Sequence, residues 1–310
     1  ILSYKLFKNY SNNAPKQLLD IPNKRSIHSR PKPRGAGIIF VALTLISSLI
    51  YILFFGFSKI YILPILLIPL ATIGLIDDLY NIPAITKYLI QLITSILIFN
   101  LSNLFIGLNL NPLNDLIFSI FITIVITGIL NFINFMDGID GLVAGCMIIM
   151  LLFGCIINNI NLFPLVACLI AFILWNWNPA KVFMGDSGST FLGAIYCGII
   201  LNSNNLNDAI SIILVGIPLW ADAFTCVIRR AYNRQRIFSA HRLHLYQRLN
   251  QAGWSHHLIS STYIFLTLFL SVIYFVLGLK SLIISSILVF LLGIFIDHNF
   301  ASPFDQKKIG

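Results

Sequence analysis

Charge is scarce in this chain: 10% of its 310 residues are charged and 58% are apolar, against roughly a quarter charged in a soluble domain. Glutamate is absent, and all eleven acidic residues are Asp. No cysteine pair has CxxC spacing, and the close histidine pairs, His241 with His244 and His256 with His257, lack the company a zinc or copper site needs. The five cysteines, at 146, 155, 168, 197 and 226, all fall in apolar runs and read as small buried hydrophobes. There is no internal repeat and no basic-aromatic pattern that would call for nucleic acid. The GAG at 35–37 follows no strand and is no nucleotide fingerprint. A large soluble helical protein is excluded as well, because the apolar segments lack charged outer faces.

What is present is a series of ten apolar runs, near 37–57, 60–76, 88–106, 116–134, 141–158, 162–176, 188–202, 209–228, 258–278 and 281–297. Each is close to the length that crosses a hydrocarbon core of about 30 Å. The expected fold is an all-α, polytopic membrane bundle of about ten transmembrane helices, forming a single domain over 1–310. Residues 1–36 would be a basic cytoplasmic segment and 229–257 a basic His/Arg loop. The chain begins at Ile1 rather than Met, which leaves room for one further, eleventh helix. With the first segment inside, every Lys and Arg except Lys59 and Lys280 falls on the cytoplasmic side, as the positive-inside rule requires. The +9 net charge is thereby explained by topology and by attraction to anionic lipid or phosphorylated substrates. Trp175, Trp177 and Trp254 suit interfacial belts, and His28, His256, His257 and His298 read as interfacial or surface residues.

The carboxylates sort to the same side. Asp77 and Asp78 end the second run, Asp137 and Asp140 follow the fourth, Asp186 follows the sixth, and Asp222 lies near the inner end of the eighth. Only Asp115 and Asp208 mark outer loops. Carboxylates beside a bilayer are costly unless paired, hydrated or used. Gathered beside a basic loop they suggest a Mg²⁺ and phosphate site, since Mg²⁺ takes hard oxygen ligands and fills its octahedron with water and substrate phosphate. Taken singly, Asp77 and Asp78 also read as solvated helix-end charges, Asp137 and Asp140 as Asp-Gly turn formers, and Asp186 as a helix cap. Asn134 shares a helix face with Asp137 and can ligate through its amide oxygen. The basic loop carries six arginines and four histidines, and its forks and imidazoles suit pyrophosphate oxygens. A transporter of an anionic lipid or solute is the rival reading, but transporters place ionisable groups near the midplane and often carry repeats.

The ordered pieces DIPNKRSIHSRPKPRGAG, IGLIDDLYN with Lys87, NFINFMDGIDGL, WNWNPAKVFMGDSGSTFLG, IPLWADAF and AHRLHLYQRL resemble the polyprenyl-phosphate N-acetylhexosamine-1-phosphate transferases. The resemblance covers nearly the whole chain. It implies ten or eleven spans, Mg²⁺ (Mn²⁺ as a substitute), a UDP-sugar donor and an undecaprenyl phosphate acceptor in a bacterial inner membrane, with the active site facing the cytoplasm. It also leaves room for a homodimer. Residue by residue it implies catalytic roles for Asp77, Asp78, Asp137 and Asp140. Substrate binding falls to Lys87, Asn178, His241, Arg242 and His244, and metal binding to Asp186 and Asn134. Asn81 stands where many members carry a third acid, so it receives no metal role. HRLHLYQRL departs from the histidine-rich loop of the peptidoglycan branch and argues against a MurNAc-pentapeptide donor. PRGAG and AHRLHLYQRL look closest to O-antigen initiators that use UDP-linked GlcNAc, FucNAc or QuiNAc. Arg34 is placed equally well on the lipid phosphate or as an interfacial anchor.

Overall fold

A chain this apolar must satisfy its backbone amides internally, and helix does so within each segment. The computed structural model describes residues 1–21, 31–105, 111–235 and 241–304. Among them the helices are α1 (Leu2–Asn13), α2 (Gly37–Phe55), α3 (Lys59–Leu66), α4 (Ile68–Tyr80), α5 (Ala84–Asn100), α6 (Pro112–Met136), α7 (Leu142–Ile157), α8 (Phe163–Asn176), α9 (Asp186–Leu201), α10 (Leu206–Val215), α11 (Ile217–Tyr232), α12 (Leu245–Gln251) and α13 (His256–Phe300). A short antiparallel pair, β1 (Leu19–Asp20) with β2 (Lys32–Pro33), is the only sheet among the described residues.

The helices α2, α6 and α13 are each long and apolar enough to cross a membrane, and so is α3 with α4 taken together over Lys59–Tyr80. The bent pair α10–α11 adds a fifth candidate, while α5, α7, α8 and α9 are shorter apolar helices. The faces turned outward are apolar, as Leu53, Phe54 and Phe55 on α2 show. The buried face of the same helix carries Gly37, Thr44 and Ser48 along with Phe40 and Val41. Small and hydroxyl residues packing inward with bulky apolar ones outward is the pattern of helices that face lipid.

Three interruptions shape the bundle. Pro64 and Pro69 flank the break at Leu67 that divides the second apolar run into α3 and α4, each proline lacking the N–H an unbroken helix would use. At Gly216 the eighth run bends by 76°. Two of the carbonyls left open at the end of α10 accept from side chains, Ile212 O from Tyr196 Oη–H (2.7 Å) and Ile213 O from Trp220 Nε1–H (3.0 Å). Finally, α13 has a non-helical residue at Gly278 (φ 78°). A straight helix of its 45 residues would be about 67 Å long, yet Trp254 meets Phe300 with ring centroids 6.0 Å apart. The helix therefore doubles back at Gly278, matching the two expected runs at 258–278 and 281–297.

The expectation for the first segment changes in kind. It forms α1, with Phe7 fully buried against Phe172 of α8 (5.3 Å) and the exposed Tyr4 in ring contact with Trp175 (5.2 Å). Trp175, expected in an interfacial belt, is consequently buried. His28 and most of the basic stretch before Pro31 lie outside the described residues.

Candidate active site

Close packing of glycines brings the acidic helix ends together. A Cβ on Gly74 of α4 would strike the backbone of Ser187, and one on Gly37 of α2 would strike Gly188 of α9. The segment before α2 is laced to the segment before α9 by Phe183 N–H on Pro33 O (2.7 Å), Ala36 N–H on Phe183 O (3.1 Å) and Gly37 N–H on Met184 O (2.9 Å). Two of the ordered sequence pieces, PRGAG and VFMGD, are thus one hydrogen-bonded unit. Gly185 has φ 76°, and a Cβ there would run into the Asp78 carboxylate and the Gly35 backbone. Gly185→Ala is expected to destabilise by about 2 kcal/mol or more, from left-handed strain plus the clash. A thermal melt checks it, and an unshifted transition would refute this account of the junction.

At that junction Asp78 accepts from the amides of Asp186 (3.2 Å) and Ser187 (3.5 Å), so its carboxylate caps α9, where the helix dipole favours negative charge. Arg34 is near enough for its charge to act on Asp78. Asp77 accepts from the Ile82 amide (2.9 Å) and from Lys87 Nζ (2.7 Å), and the same ammonium reaches Asp186 Oδ2 (3.1 Å). Lys87 is therefore a bridge between α4 and α9, held by the first turn of α5. Removing it as Lys87→Met leaves two partly buried carboxylates facing each other, and a loss of about 3 kcal/mol is expected. Denaturant titration of the purified variant measures it, and a wild-type midpoint would refute the bridge.

Asp137 closes α6 as its C-cap, one turn after Asn134. Burial first, then the charges of Asp186, Asp78 and Asp140, push its carboxyl up to about 8. Asp140 behaves oppositely. Burial opposes its ionisation, but His256, the Ala180 amide and Lys32 together hold its carboxyl below the ordinary value. Its Oδ2 accepts from Asn178 Nδ2 (3.0 Å) and Ala180 N–H (2.9 Å), and Lys32 lies at 3.8 Å. Asp140 thus ties the 178–180 loop to the turn after α6, and Asn178 serves that tie. His256, read from sequence as an interfacial residue, is 3.6 Å from this carboxylate and belongs to the site's support.

The basic loop approaches through α12. Asp222 of α11 accepts from the amides of Leu245 (2.7 Å) and Tyr246 (3.1 Å) and from Tyr263 Oη–H (2.8 Å), with His244 Nδ1 at 3.8 Å. It anchors the N-terminus of α12 and does not face the other carboxylates directly. Tyr246 Oη–H donates to Phe135 O (3.0 Å), and its hydroxyl fills the space a Cβ on Gly138 would need. This explains the glycine of the first Asp-Gly pair. Tyr246→Phe, which deletes the donation to Phe135 O and the hydroxyl's acceptance from Gln247 Nε2 (3.1 Å), is expected to cost about 1–2 kcal/mol and to lower turnover more than substrate affinity, because the hydroxyl sets the α6 end that carries Asn134 and Asp137. A kcat and KM comparison tests it, and a pure KM effect would refute it.

His244 is buried, whereas His241 and Arg242 are half-buried. Burial, then His244 and Arg230, depress His241 to about 3, so the ring is neutral at physiological pH. Its Nδ1 accepts from Leu243 N–H (3.3 Å), which leaves Nε2–H as a donor. Cys226, His241 and His244 also present ligand atoms within 4.8 Å of one another. The Arg230 charge bears on both Cys226 and His241, which disfavours a dication there.

The expected residues thus fall into four sets: Asp77, Asp78, Lys87 and Asp186, joined by hydrogen bonds and chain adjacency; Asp137, on which the charges of Asp186, Asp78 and Asp140 act, one turn after Asn134; Asp140 with Asn178; and His241, Arg242 and His244 at the start of α12. Sequence reasoning missed Tyr246, Lys32 and the part played by His256. Tyr246 alone had a local signal, in AHRLHLYQRL.

The glycosyl transferase family 4 model matches residues 59–204, the stretch that carries Asp77 through Asp186. A probable undecaprenyl-phosphate N-acetylglucosaminyl 1-phosphate transferase of Bacillus subtilis (strain 168) is 29% identical over 309 residues, covering 90% of this chain and 82% of that protein. A phospho-N-acetylmuramoyl-pentapeptide-transferase of Staphylococcus epidermidis is 30% identical over 253 residues, covering 72% and 77%, and one of Staphylococcus carnosus is 28% identical over 262 residues, covering 74% and 80%. With its carboxylate-lined helix ends and matches spanning most of these relatives, the chain belongs to the polyprenyl-phosphate N-acetylhexosamine-1-phosphate transferases of glycosyl transferase family 4.

Proposed function

We propose that this membrane enzyme transfers a sugar 1-phosphate from a UDP-linked N-acetylated amino sugar to undecaprenyl phosphate at the cytoplasmic face of a bacterial inner membrane. The products are UMP and the lipid-diphosphate-sugar that starts an O-antigen or another envelope polysaccharide. One observation carries the reading: Asp77, Asp78, Asp137 and Asp186 converge with Lys87 at one end of an apolar bundle. The opposite end holds a separate polar set, with Lys59 on Asn103 (2.7 Å) and Asn158 on Ser203 (3.2 Å). That separation supports ten crossings, with α13 counted twice and α5, α7, α8 and α9 as short spans. The Bacillus relative's stated sugar favours GlcNAc among the three candidates, and the HRLHLYQRL loop still argues against a muramoyl pentapeptide.

In the reaction a lipid phosphate oxygen attacks the β-phosphorus of the donor. A new P–O bond forms, and the bond from that phosphorus to the bridging oxygen breaks, releasing UMP. The acceptor is already an anion near neutral pH, so positioning and charge neutralisation matter more than proton removal. Asp77 holds Lys87 in place, and the ammonium offers its remaining N–H to phosphate. His241 donates through Nε2–H and Arg242 supplies a fork for the phosphate oxygens of the departing UMP. Asp140, Asn178, Asp222 and Tyr246 hold these groups in register.

A divalent cation fits the donor set, which is hard oxygen throughout, and the carboxylate crowding that raises Asp137 is what a cation relieves. Asp186 and Asn134 would hold Mg²⁺, with Asp137 adjacent. Bound there, it supplies neutralisation of the donor's pyrophosphate charge. Purified protein incubated with undecaprenyl phosphate, Mg²⁺ and a panel of UDP-sugars should release UMP only with lipid present, and chelator should stop it. No UMP from any donor, in a folded preparation, would overturn the assignment.

A further inference from the structure

A cavity of about 750 Å³ lies between α11, α12 and both halves of α13. Its walls are apolar, with Ile217, Phe224, Leu266, Val289, Phe290 and Ile294 prominent among them. Neither Asp137 nor Asp186 is among its lining residues. The one catalytic-side carboxylate that reaches its wall, Asp222, is fully engaged by Leu245, Tyr246 and Tyr263. An apolar space of this size between membrane helices gains little from water and loses dispersion contacts if left void. An acyl chain fills it at no such loss.

The rim is of different character. Asp297 accepts from both Arg229 and Arg248, and both guanidiniums lie over the Phe304 ring, at 4.5 and 5.3 Å from its centroid. Among the described residues two guanidiniums share one carboxylate, so the rim keeps a net positive charge, with His298 beside it. Arg248 is buried and committed to the backbone at Leu243 and Ser302. The Arg229 side chain is 45% exposed. An exposed arginine at the cytoplasmic mouth of an apolar cavity complements a phosphodiester carried on acyl chains.

We propose that this cavity is the seat of one resident anionic phospholipid, with an acyl chain between α11 and α13 and its phosphodiester on Arg229. The lipid braces α12 from behind, through the same Arg248, Asp297 and Ser302 contacts that tie α12 to the end of α13. It is distinct from the acceptor lipid and takes no part in the transfer, so its test is independent of the catalysed reaction.

Two substitutions separate chain from headgroup. Gly293 lines the cavity, and a Cβ built on it meets no atom within 4 Å. Gly293→Phe therefore projects a ring into the space without displacing backbone. Arg229→Gln removes the rim charge at an exposed position. Native mass spectrometry of the purified chain, with phosphatidylglycerol or phosphatidylcholine supplied, reads the bound lipid directly. Wild type should retain one phosphatidylglycerol, with about a fivefold preference over phosphatidylcholine, the ratio equivalent to ~1 kcal/mol for one basic side chain near anionic lipid. Gly293→Phe should lose the adduct at an unchanged melting temperature, and Arg229→Gln should lose the preference. Should Gly293→Phe misfold, Arg229→Gln carries the test alone. Equal retention of the two lipids by wild type overturns the proposal, as does an undiminished preference in Arg229→Gln or an undiminished adduct in folded Gly293→Phe. Displacement of the phospholipid by one equivalent of undecaprenyl phosphate also overturns it, by making the cavity the acceptor's seat.

Discussion

Asp186→Asn is expected to lower kcat/KM by about three orders of magnitude while leaving the fold intact. Asp186 is the first residue of α9, after Gly185 in its left-handed conformation, and its carboxylate is the far anchor of the Lys87 bridge (3.1 Å). The amide of Asn has the same shape and retains an acceptor for Lys87, so the junction of α4, α5 and α9 should survive. What disappears is the negative charge at the position proposed to hold the cation and, through it, the donor's pyrophosphate. Raising Mg²⁺ should recover only a small part of the loss, because the remaining candidates at the site, Asn134 and Asp137, lie on a different helix. UMP release across a Mg²⁺ titration, with circular dichroism as the folding control, makes the measurement. Wild-type, chelator-sensitive turnover in this variant would remove Asp186 from the metal assignment.

The parts of this arrangement that sequence made legible are those with a local signature. Apolar runs bounded by Asp, Gly and Pro locate the helices, and the placement of Asp77, Asp78, Asp137 and Asp186 at the ends of those runs is enough to group them before any contact is known. The doubling back of α13 follows from run lengths alone, since residues 258–297 exceed one bilayer crossing. The 76° bend at Gly216 is signalled only by a Gly and a Pro two residues apart, which equally mark a surface turn. The supports were hidden for another reason. Lys32 and His256 reach Asp140 from segments more than a hundred residues away, and such pairings leave no periodicity along the chain. Tyr246 lies in AHRLHLYQRL but acts through a single hydroxyl on a carbonyl, a role that the motif does not spell out. Similarly, α1 was hidden by its composition, because one buried face with Phe7 is outweighed by the polar residues around it.

Asp137→Asn should produce an enzyme that is more stable without metal and nearly inactive with it. The Asp137 carboxyl is pushed up to about 8, from an ordinary value near 4, by burial and by three neighbouring carboxylates. A folded-state value above the unfolded one stabilises in full below about pH 4, and that contribution is lost as pH rises through about 8. In chelator, wild type should therefore lose stability relative to Asp137→Asn between pH 6 and pH 8, by about 1–3 kcal/mol at the upper end. The comparison reads Asp137 together with the carboxylates whose charges act on it. Asp140, held below its ordinary value, is fully ionised throughout that range, and His241, depressed to about 3, titrates alike in both proteins. Mg²⁺ should stabilise wild type increasingly toward pH 8 and Asp137→Asn much less. Turnover of the variant should fall by about two to three orders of magnitude, since the charge that repels in the empty site is the charge that a bound cation uses. Equal melting temperatures for the two proteins in chelator at pH 8 would show that the four carboxylates are not crowded, and the electrostatic case for a cation at this site would fall with that result.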